Sequence, residues 1–468
     1  MRCASTDAPA TRVSTPFDRL GPDLVTTDPD VVASFARDEA ALGVPGGAGP
    51  LAVVSPRSTA DVAATLAVAH THRVPVVVRG AGSGLSGGAA APDGSVVLST
   101  RRLTRVIEVD PVERLAVVQP GVVTADLRAA AAEVGLFYPP DPGSVAFSTV
   151  GGNVATNAGG MCCVKYGVTG DFVLGLEVVL ADGTVTRTGR RTAKGVAGYD
   201  LTSLLVGSEG TLGVITEITV RLLPAPGPAR TLVATFPSLG AAGAAVGAVT
   251  RAGLDLSMLE VMDRTTLDAV DRLTGMGLGA EGTPAAMLLA QSDTADAARA
   301  LEAMAALCRD AGAEDVVLAD DAVEGEALLE ARRQALPALE RLGDWILDDV
   351  CVPRGRVVEL LEGIERVAAA QALTIGVFGH AGDGNMHPTI VHDASDPASV
   401  AAAGRAFEAI TALALDLGGT ITGEHGVGRL KRDWLARELD PGAMAMSRAV
   451  KAALDPLGIL NPGAVLPE

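Results

Sequence analysis

The sequence predicts an α+β protein built from more than one unit, and three observations carry that expectation. A β-α-β pattern opens at Leu51, clusters of glycine recur between Gly80 and Gly213, and beyond a proline-rich stretch at 224–228 short apolar runs alternate with long helical ones. At 468 residues the chain holds roughly two to four folding units of about 150 residues. A net charge of −19 disfavours nucleic acid and anionic membrane surfaces as partners. The five cysteines (Cys3, Cys162, Cys163, Cys308 and Cys351) are odd in number and two are adjacent, which fits neither a disulfide framework nor a CxxC metal or iron–sulfur motif. A reducing cytoplasm follows as the expected compartment. The first 20 residues contain Asp7, Pro9, Pro16 and Asp18 and no apolar run, so no secretory signal is expected. The uncharged runs 142–164 and 231–250 are broken by glycine, serine, threonine, asparagine or proline, so neither reads as a membrane span.

Taken in order, residues 1–48 read as a leader with one amphipathic helix near 30–41, ending at Gly43 before a Pro/Gly-rich linker. A strand at 51–54, a helix capped at Ser58 or Thr59 and running to His72, and a strand at 75–78 follow. His70 and His72 end that helix, where the dipole favours a cation, and read as structural. The second strand enters the loop Arg79-Gly80-Ala81-Gly82-Ser83-Gly84-Leu85-Ser86-Gly87-Gly88. Gly82, Gly84 and Gly87 match the spacing of the dinucleotide fingerprint, but a Rossmann loop opens directly into a helix, and here a strand at 96–98 comes next. A glycine loop between strands can instead wrap a pyrophosphate with successive N–H groups. Strands at 105–109 and 115–118, Pro120-Gly121 and a helix at 124–134 lead to further glycine clusters at 139–143, 149–160 and 207–215. Separated clusters of this kind imply one long ligand, for which a flavin dinucleotide is a better candidate than a mononucleotide.

Beyond the proline-rich stretch, strands are expected near 231–236, 257–261, 285–290, 315–318 and 345–350, with helices at 294–310 and 354–371. The apolar run 374–379 leads into His380-Ala381-Gly382-Asp383-Gly384-Asn385-Met386-His387, and 388–391 reads as the returning strand. Asp383-Gly384 predicts a two-residue type I′ turn, which would pair His380 with His387 on one face. Their Cβ atoms would then stand about 4.5–5.5 Å apart, close enough for both rings to share one metal ion. His392 reads as a surface residue.

The glycine loop from Pro75 to Gly88 resembles the pyrophosphate loop of the PCMH-type FAD-binding domain of the vanillyl-alcohol-oxidase superfamily. From Leu51 onward the chain resembles the FAD-linked 2-hydroxyacid dehydrogenases, in particular the glycolate oxidase FAD subunit and D-lactate dehydrogenase group. Segments 139–144, 150–160, 207–217 and 380–387, the run Gly423-Glu424-His425-Gly426-Val427-Gly428 and segment 455–463 carry the resemblance in order. It implies an FAD domain of two α+β subdomains with the cofactor between them, capped by an antiparallel sheet backed by helices. The expected division is a leader at 1–48, the FAD domain at 49–226, a cap at 227–420 and a segment at 421–468, including a helix at 442–454, that returns to the FAD domain.

The resemblance implies FAD contacts at Arg79, Gly80, Ala81, Gly82, Ser83, Gly84, Leu85, Ser86, Pro120, Gly121, Pro142, Gly143 and Ser144. It extends them to Thr149, Gly151, Gly152, Asn153, Asn157, Gly159, Gly160, Tyr166, Glu209, Gly210, Gly213, Val214, Ile215 and Asn461. Where some superfamily members attach FAD covalently, the glycine loop here has Ser83 and segment 147–149 has no cysteine, so non-covalent FAD is expected. His380, His387 and Glu424 are the implied ligands of a divalent metal, zinc before iron or manganese. His425 is the implied general base, as the near-neutral range of imidazole suits the task. Arg332 is the implied anchor for a substrate carboxylate, Lys431 is expected near the flavin or the substrate, and glycines 423, 426 and 428 are expected to leave room for the flavin.

The expected reaction is oxidation of a short D-2-hydroxy acid, glycolate or D-lactate, to the 2-oxo acid by hydride transfer to flavin N5. Leu347 stands where 2-hydroxyglutarate-type relatives carry a lysine, which disfavours a second carboxylate, and Leu329 replaces a common aromatic, which alters the pocket. Low aromatic content argues against a large aromatic substrate. A 2-hydroxyglutarate dehydrogenase is the alternative within the family. A metallohydrolase using the His/His/Glu site is the alternative outside it, and would leave the glycine clusters unexplained. A non-catalytic flavin subunit is disfavoured because base and ligands are all present. Electrons would leave to a separate acceptor: an iron–sulfur subunit, a cytochrome, a quinone or oxygen. The enzyme is expected in the cytoplasm, peripheral to the membrane if its acceptor is there, and a homodimer is compatible with it.

Overall fold

A computed structural model describes residues 14–40 and 49–467 apart from 279–281, 283 and 320. The β-α-β start arises from a Ser58-capped helix, Thr59–His72, whose last turn closes on Arg73 in the left-handed region. It links two parallel strands that read as continuous apolar runs because both faces are covered. Strands β1 (Val25–Thr26), β2 (Ala52–Val54), β3 (Val76–Arg79) and β4 (Val96–Ser99) form a first sheet in the order β1-β2-β4-β3. The second sheet is antiparallel, ordered β5-β6-β10-β8-β9, from β5 (Val106–Asp110), β6 (Leu115–Val118), β8 (Val173–Val179), β9 (Val185–Gly189) and β10 (Val214–Arg221). A short pair, β7 (Leu136–Phe137) and β11 (Leu223–Pro224), closes its flank.

The third sheet is antiparallel and orders β15-β12-β14-β13-β18-β19-β16. Its strands are β12 (Arg230–Phe236), β13 (Met258–Asp263), β14 (Ala286–Ser292), β15 (Asp315–Leu318), β16 (Asp344–Leu347), β18 (Thr374–His380) and β19 (Asn385–His392), with β17 (Val350–Cys351) added on β19. Alternation decides its two faces. Leu232, Leu259, Val261, Ile346 and Val377 pack under the helices Leu239–Ala252, Ala297–Asp310, Val357–Gln371 and Pro397–Asp416. Val233, Met258, Met262, Leu347 and Phe378 lie on the other face, which also carries Glu260 and the two hairpin histidines toward the first two sheets. The helix Pro397–Asp416 is long and apolar enough to cross a membrane, but Ala403, Ala406, Phe407, Ile410 and Ala414 are buried in the core.

Three expectations need correction. The leader helix spans Pro29–Ser34 rather than 30–41; the expected end at Gly43 and the linker up to residue 48 lie outside the described residues. The chain leaves the helix because its backbone is used elsewhere: the Glu39 N–H donates to the Gly84 carbonyl, and the Asp38 carboxylate accepts from the Ala89 N–H. The strand expected at 345–350 is two strands, β16 and β17, separated at the buried pair Asp348-Asp349. The hairpin has no two-residue turn. Ala381 to Gly384 form a four-residue loop with positive φ at Gly384 alone, so His380 pairs with Asn385, and Phe378 with His387. The register therefore differs from the expected one by two residues, which preserves the face of every side chain.

Candidate active site

The first two sheets and the third enclose between them a cavity of about 1030 Å³. One wall is mostly backbone. Leaving β3, the chain turns at Gly82, with φ +83°, and Gly80 passes so close to the Thr149 hydroxyl that a Cβ would stand 2.4 Å from it. Thr149 caps the helix Val150–Thr156 by accepting from the Gly152 N–H. Gly80, Ala81, Gly82, Ser83, Gly84, Leu85, Ser86, Pro120, Pro142, Gly143, Ser144, Thr149, Gly151, Gly152, Asn153, Gly159, Glu209, Gly210, Gly213 and Ile215 all line the cavity.

Seven other residues expected to meet the cofactor stand behind this wall. Arg79 donates to the Arg37 carbonyl, Tyr166 donates to Asp293, and Asn157 accepts from the Gly170 N–H. The Asn461 amide donates to the carbonyls of Gly88 and Glu209. Gly121 packs against the carbonyls of Thr100 and Leu103, Gly160 packs against Asp141, and Val214 pairs with Val179. The glycines at 423, 426 and 428 do not open space for a ligand: added Cβ atoms would strike Asn385, Glu209 and the Ser86 carbonyl, respectively, so these glycines serve packing of protein on protein.

The opposite wall is built of side chains. Nε2 of His380 lies 3.3 Å from Nε2 of His387, and Oε1 of Glu424 lies 3.1 Å from the first and 3.2 Å from the second. A tetrahedral ion with bonds of about 2.0–2.1 Å has ligand–ligand edges of about 3.3–3.4 Å, so this triangle of two imidazoles and a carboxylate fits one divalent cation. Nδ1 of His380 meets Oε1 of Glu260 at 2.7 Å, which directs the Nε2 lone pair to the triangle. Nδ1 of His387 is buried, 3.7 Å from Asp349, and has no hydrogen-bond partner among the described residues. His425 stacks on His387, with ring centroids 5.0 Å apart, and its Nε2 is 3.7 Å from Glu424. Arg332 donates through Nε and Nη2 to Oε2 of Glu260, both at 2.8 Å, and lies over the Phe378 ring.

Two carboxylates that sequence reasoning missed organise this wall. Glu260 sits between Leu259 and Val261 in the apolar middle of β13. Asp349 accepts on Oδ2 from the Thr422 hydroxyl and from the N–H groups of Gly423, Glu424 and His425, and on Oδ1 from the Asn385 amide. It fixes the turn that presents Glu424 and His425. The only sequence signal for either is a charge in a run whose neighbours are apolar. Lys431, expected near the flavin or substrate, is fully buried behind the wall. Its ammonium spends its three protons on Asp348 and on the carbonyls of Asp349 and Ile421, so it supports the Asp349 turn from behind. His392 is buried rather than on the surface.

Charges follow from this packing. With no cation in the triangle, burial would lower the pKa of His380 but the carboxylates of Glu260 and Glu424 hold it well above the usual imidazole range; a cation bound there would take the place of the Nε2 proton. Burial pushes His387 down to about 4 despite Glu424. Burial would raise Glu424, but His380 and His387 hold it well below the ordinary carboxylate range. On the backbone wall, burial raises Asp141 to about 6 and Glu209 to about 7, against hydrogen bonds from Cys162 and from Gly428 and Val427.

Comparison with known proteins matches both halves of the molecule. Residues 50–189 match the "FAD binding domain" family and residues 225–465 match "FAD linked oxidases, C-terminal domain". The glycolate oxidase subunit GlcD of Bacillus subtilis is 43% identical over 88% of this chain and 88% of its own. The subunit of the same name from Escherichia coli K12 is 41% identical over 89% of this chain and 84% of its own. A D-lactate dehydrogenase of Anaerostipes hadrus is 35% identical over 96% of each. Among solved structures, p-cresol methylhydroxylase with bound substrate aligns over 96% of this chain and 95% of its own, with TM-score 0.78 and 18% identity. The 4-ethylphenol oxidase from Gulosibacter chungangensis aligns over 97% of this chain and 96% of its own, with TM-score 0.77 and 20% identity. At these identities the structural matches speak for the PCMH-type fold alone.

Proposed function

As the chain belongs to the FAD-linked oxidases, we propose that it oxidises a short D-2-hydroxy acid, glycolate or D-lactate, to the 2-oxo acid with non-covalently held FAD. The observation that carries this reading is the convergence, in one cavity, of the glycine wall with the cluster of His380, His387, Glu424, His425 and Arg332. The glycine wall would hold FAD, which would supply the acceptor for the C2 hydride. His380, His387 and Glu424 would hold a divalent ion, zinc before iron or manganese, which would supply a Lewis acid to lower the hydroxyl pKa.

The protein's own groups do the rest. Arg332 is held by Glu260 through two of its nitrogens, and among the described residues no acceptor takes Nη1, which leaves that donor for the substrate carboxylate. His425 sits beside Glu424, where it takes the hydroxyl proton on its imidazole. Phe378 lies against Arg332, Leu329, Leu336 and Leu347 line the same cavity, and the neighbouring Arg333 is engaged by Glu326. These surroundings favour a monocarboxylate over 2-hydroxyglutarate, and nothing in the cavity favours the hydrolase reading over the flavin one. Reoxidation passes to a separate acceptor, as an iron–sulfur subunit, a cytochrome, a quinone or oxygen would provide, in the cytoplasm or at the membrane surface.

The test is anaerobic mixing of the purified flavoprotein with glycolate, D-lactate, L-lactate and D-2-hydroxyglutarate, with and without prior chelation. Glycolate or D-lactate should bleach the flavin, and chelation should abolish the bleaching until Zn²⁺, Fe²⁺ or Mn²⁺ is returned. A protein that binds no flavin, or that only 2-hydroxyglutarate reduces, overturns the reading.

A further inference from the structure

Glu260 lies in the middle of β13 between Leu259 and Val261, almost completely buried. The ladder between β13 and β18 pairs Val261 with Gly379 and Met262 with Phe378. Continued by one step, that register sets Glu260 opposite His380, with both side chains on the face turned to the cavity. Its two oxygens are divided: Oε1 takes Nδ1 of His380 at 2.7 Å, and Oε2 takes Nε and Nη2 of Arg332, both at 2.8 Å. A buried charged trio in an apolar sheet is a weak way to gain stability, since apolar residues of similar volume often serve as well or better. The atoms that Glu260 leaves uncommitted, Nε2 of His380 and Nη1 of Arg332, belong to the two side chains that border the cavity.

We infer that Glu260 is a positioning residue that sets the His380 tautomer and the Arg332 fork with one carboxylate, so that divalent-cation binding and substrate-carboxylate binding share a single support. The inference rests on the functional reading above and adds to it a dependence of each subsite on the other. The chemistry is specific to a carboxylate. A glutamine offers one acceptor and an NH₂, so it can keep either His380 or Arg332 and turns a donor toward the other. An aspartate keeps the charge but is one methylene short of reaching both.

The experiment compares wild type with Glu260→Gln and Glu260→Asp as FAD-loaded protein. Two quantities are read: Zn²⁺ affinity by equilibrium dialysis, which needs no turnover, and KM for D-lactate or glycolate. Glu260→Gln should weaken Zn²⁺ binding and raise KM, each by about 10-fold or more, the range in which outer-sphere partners of metal ligands act. FAD stoichiometry should stay at the wild-type value. The effects of Glu260→Gln and Arg332→Lys on KM should be non-additive, since removing either partner dissolves the same support. Should Glu260→Gln lose its FAD, Glu260→Asp decides: a shift in both quantities supports the shared role, and a shift in neither or in only one overturns it. Additive effects on KM overturn it as well. A wild type that binds Zn²⁺ but is reduced by no 2-hydroxy acid sinks the functional reading instead, and the dialysis arm still tests whether Glu260 governs His380.

Discussion

On the FAD-domain side, the cavity meets peptide backbone at Gly80, Gly82, Gly151 and Gly152, in glycine clusters that each occupy one short stretch of sequence. On the cap side it meets the side chains of Arg332, His380, His387, Glu424 and His425, which Glu260 and Asp349 hold from behind. On the proposed function, the contrast follows from what each wall would handle. A dinucleotide is a long polar ligand that many N–H groups can recognise, whereas a 2-hydroxy acid offers one carboxylate, one hydroxyl and one hydride, each needing a placed charge. Holding such charges in an apolar sheet requires that each buried group be answered by another, which is why the cap wall is a connected network.

If the walls divide the labour this way, damage to one should spare the other. The largest expected effect is from His425→Ala. Removing the proposed base should lower kcat by about 10²–10⁴-fold while FAD stoichiometry and Zn²⁺ affinity hold, which flavin absorbance and dialysis on one preparation would check. Loss of FAD together with kcat would break the division. The converse variant is Gly82→Ala. Its φ of +83° costs a side chain roughly 1–2 kcal/mol, and the added Cβ would collide with the Arg79 guanidinium. FAD should therefore bind about tenfold or more weakly, while kcat per bound flavin stays near wild type. A fall in kcat of the loaded fraction would mean that the backbone wall also orients the chemistry.

The same contrast explains what the sequence disclosed. The backbone wall was legible because its logic is local: a strand, a glycine loop that fails to open a helix, and repeated glycine clusters. The cap wall was legible only where its residues cluster, at the hairpin and at Glu424-His425. Even there the register was misread by two residues, because Asp383-Gly384 looked like a complete turn while the loop docks through the Gly382 N–H on the Leu259 carbonyl and takes four residues. The rings still share a face because an even slip conserves the side-chain alternation. Glu260 and Asp349 escaped because nothing in an apolar strand or at a strand break says which distant donors will meet a carboxylate. The setting of Lys431 was hidden for the same reason: its position in the chain is near the turn, but its charge is answered by Asp348.

The smallest effect concerns the seam where the two walls are tied. Glu209 precedes β10 of the second sheet and lines the cavity, yet its carboxylate accepts from the N–H groups of Val427 and Gly428, just past the His425 turn. Burial outweighs those bonds and pushes its pKa up to about 7. An unfolded glutamate titrates near 4.3, so between about pH 4.3 and 7 the folded state binds the proton and the unfolded state does not. The stability this contributes is complete below about pH 4 and is lost as pH rises through about 7. Glu209→Gln imitates the protonated carboxyl at every pH, so its melting temperature should fall less than that of wild type between pH 5 and pH 8, by on the order of a few °C. Parallel melting profiles for the two proteins would show that the seam carries an ionised carboxylate throughout. The two walls would then be joined by charge on the cap's own pattern, and the division between them would be less sharp than the glycine wall implies.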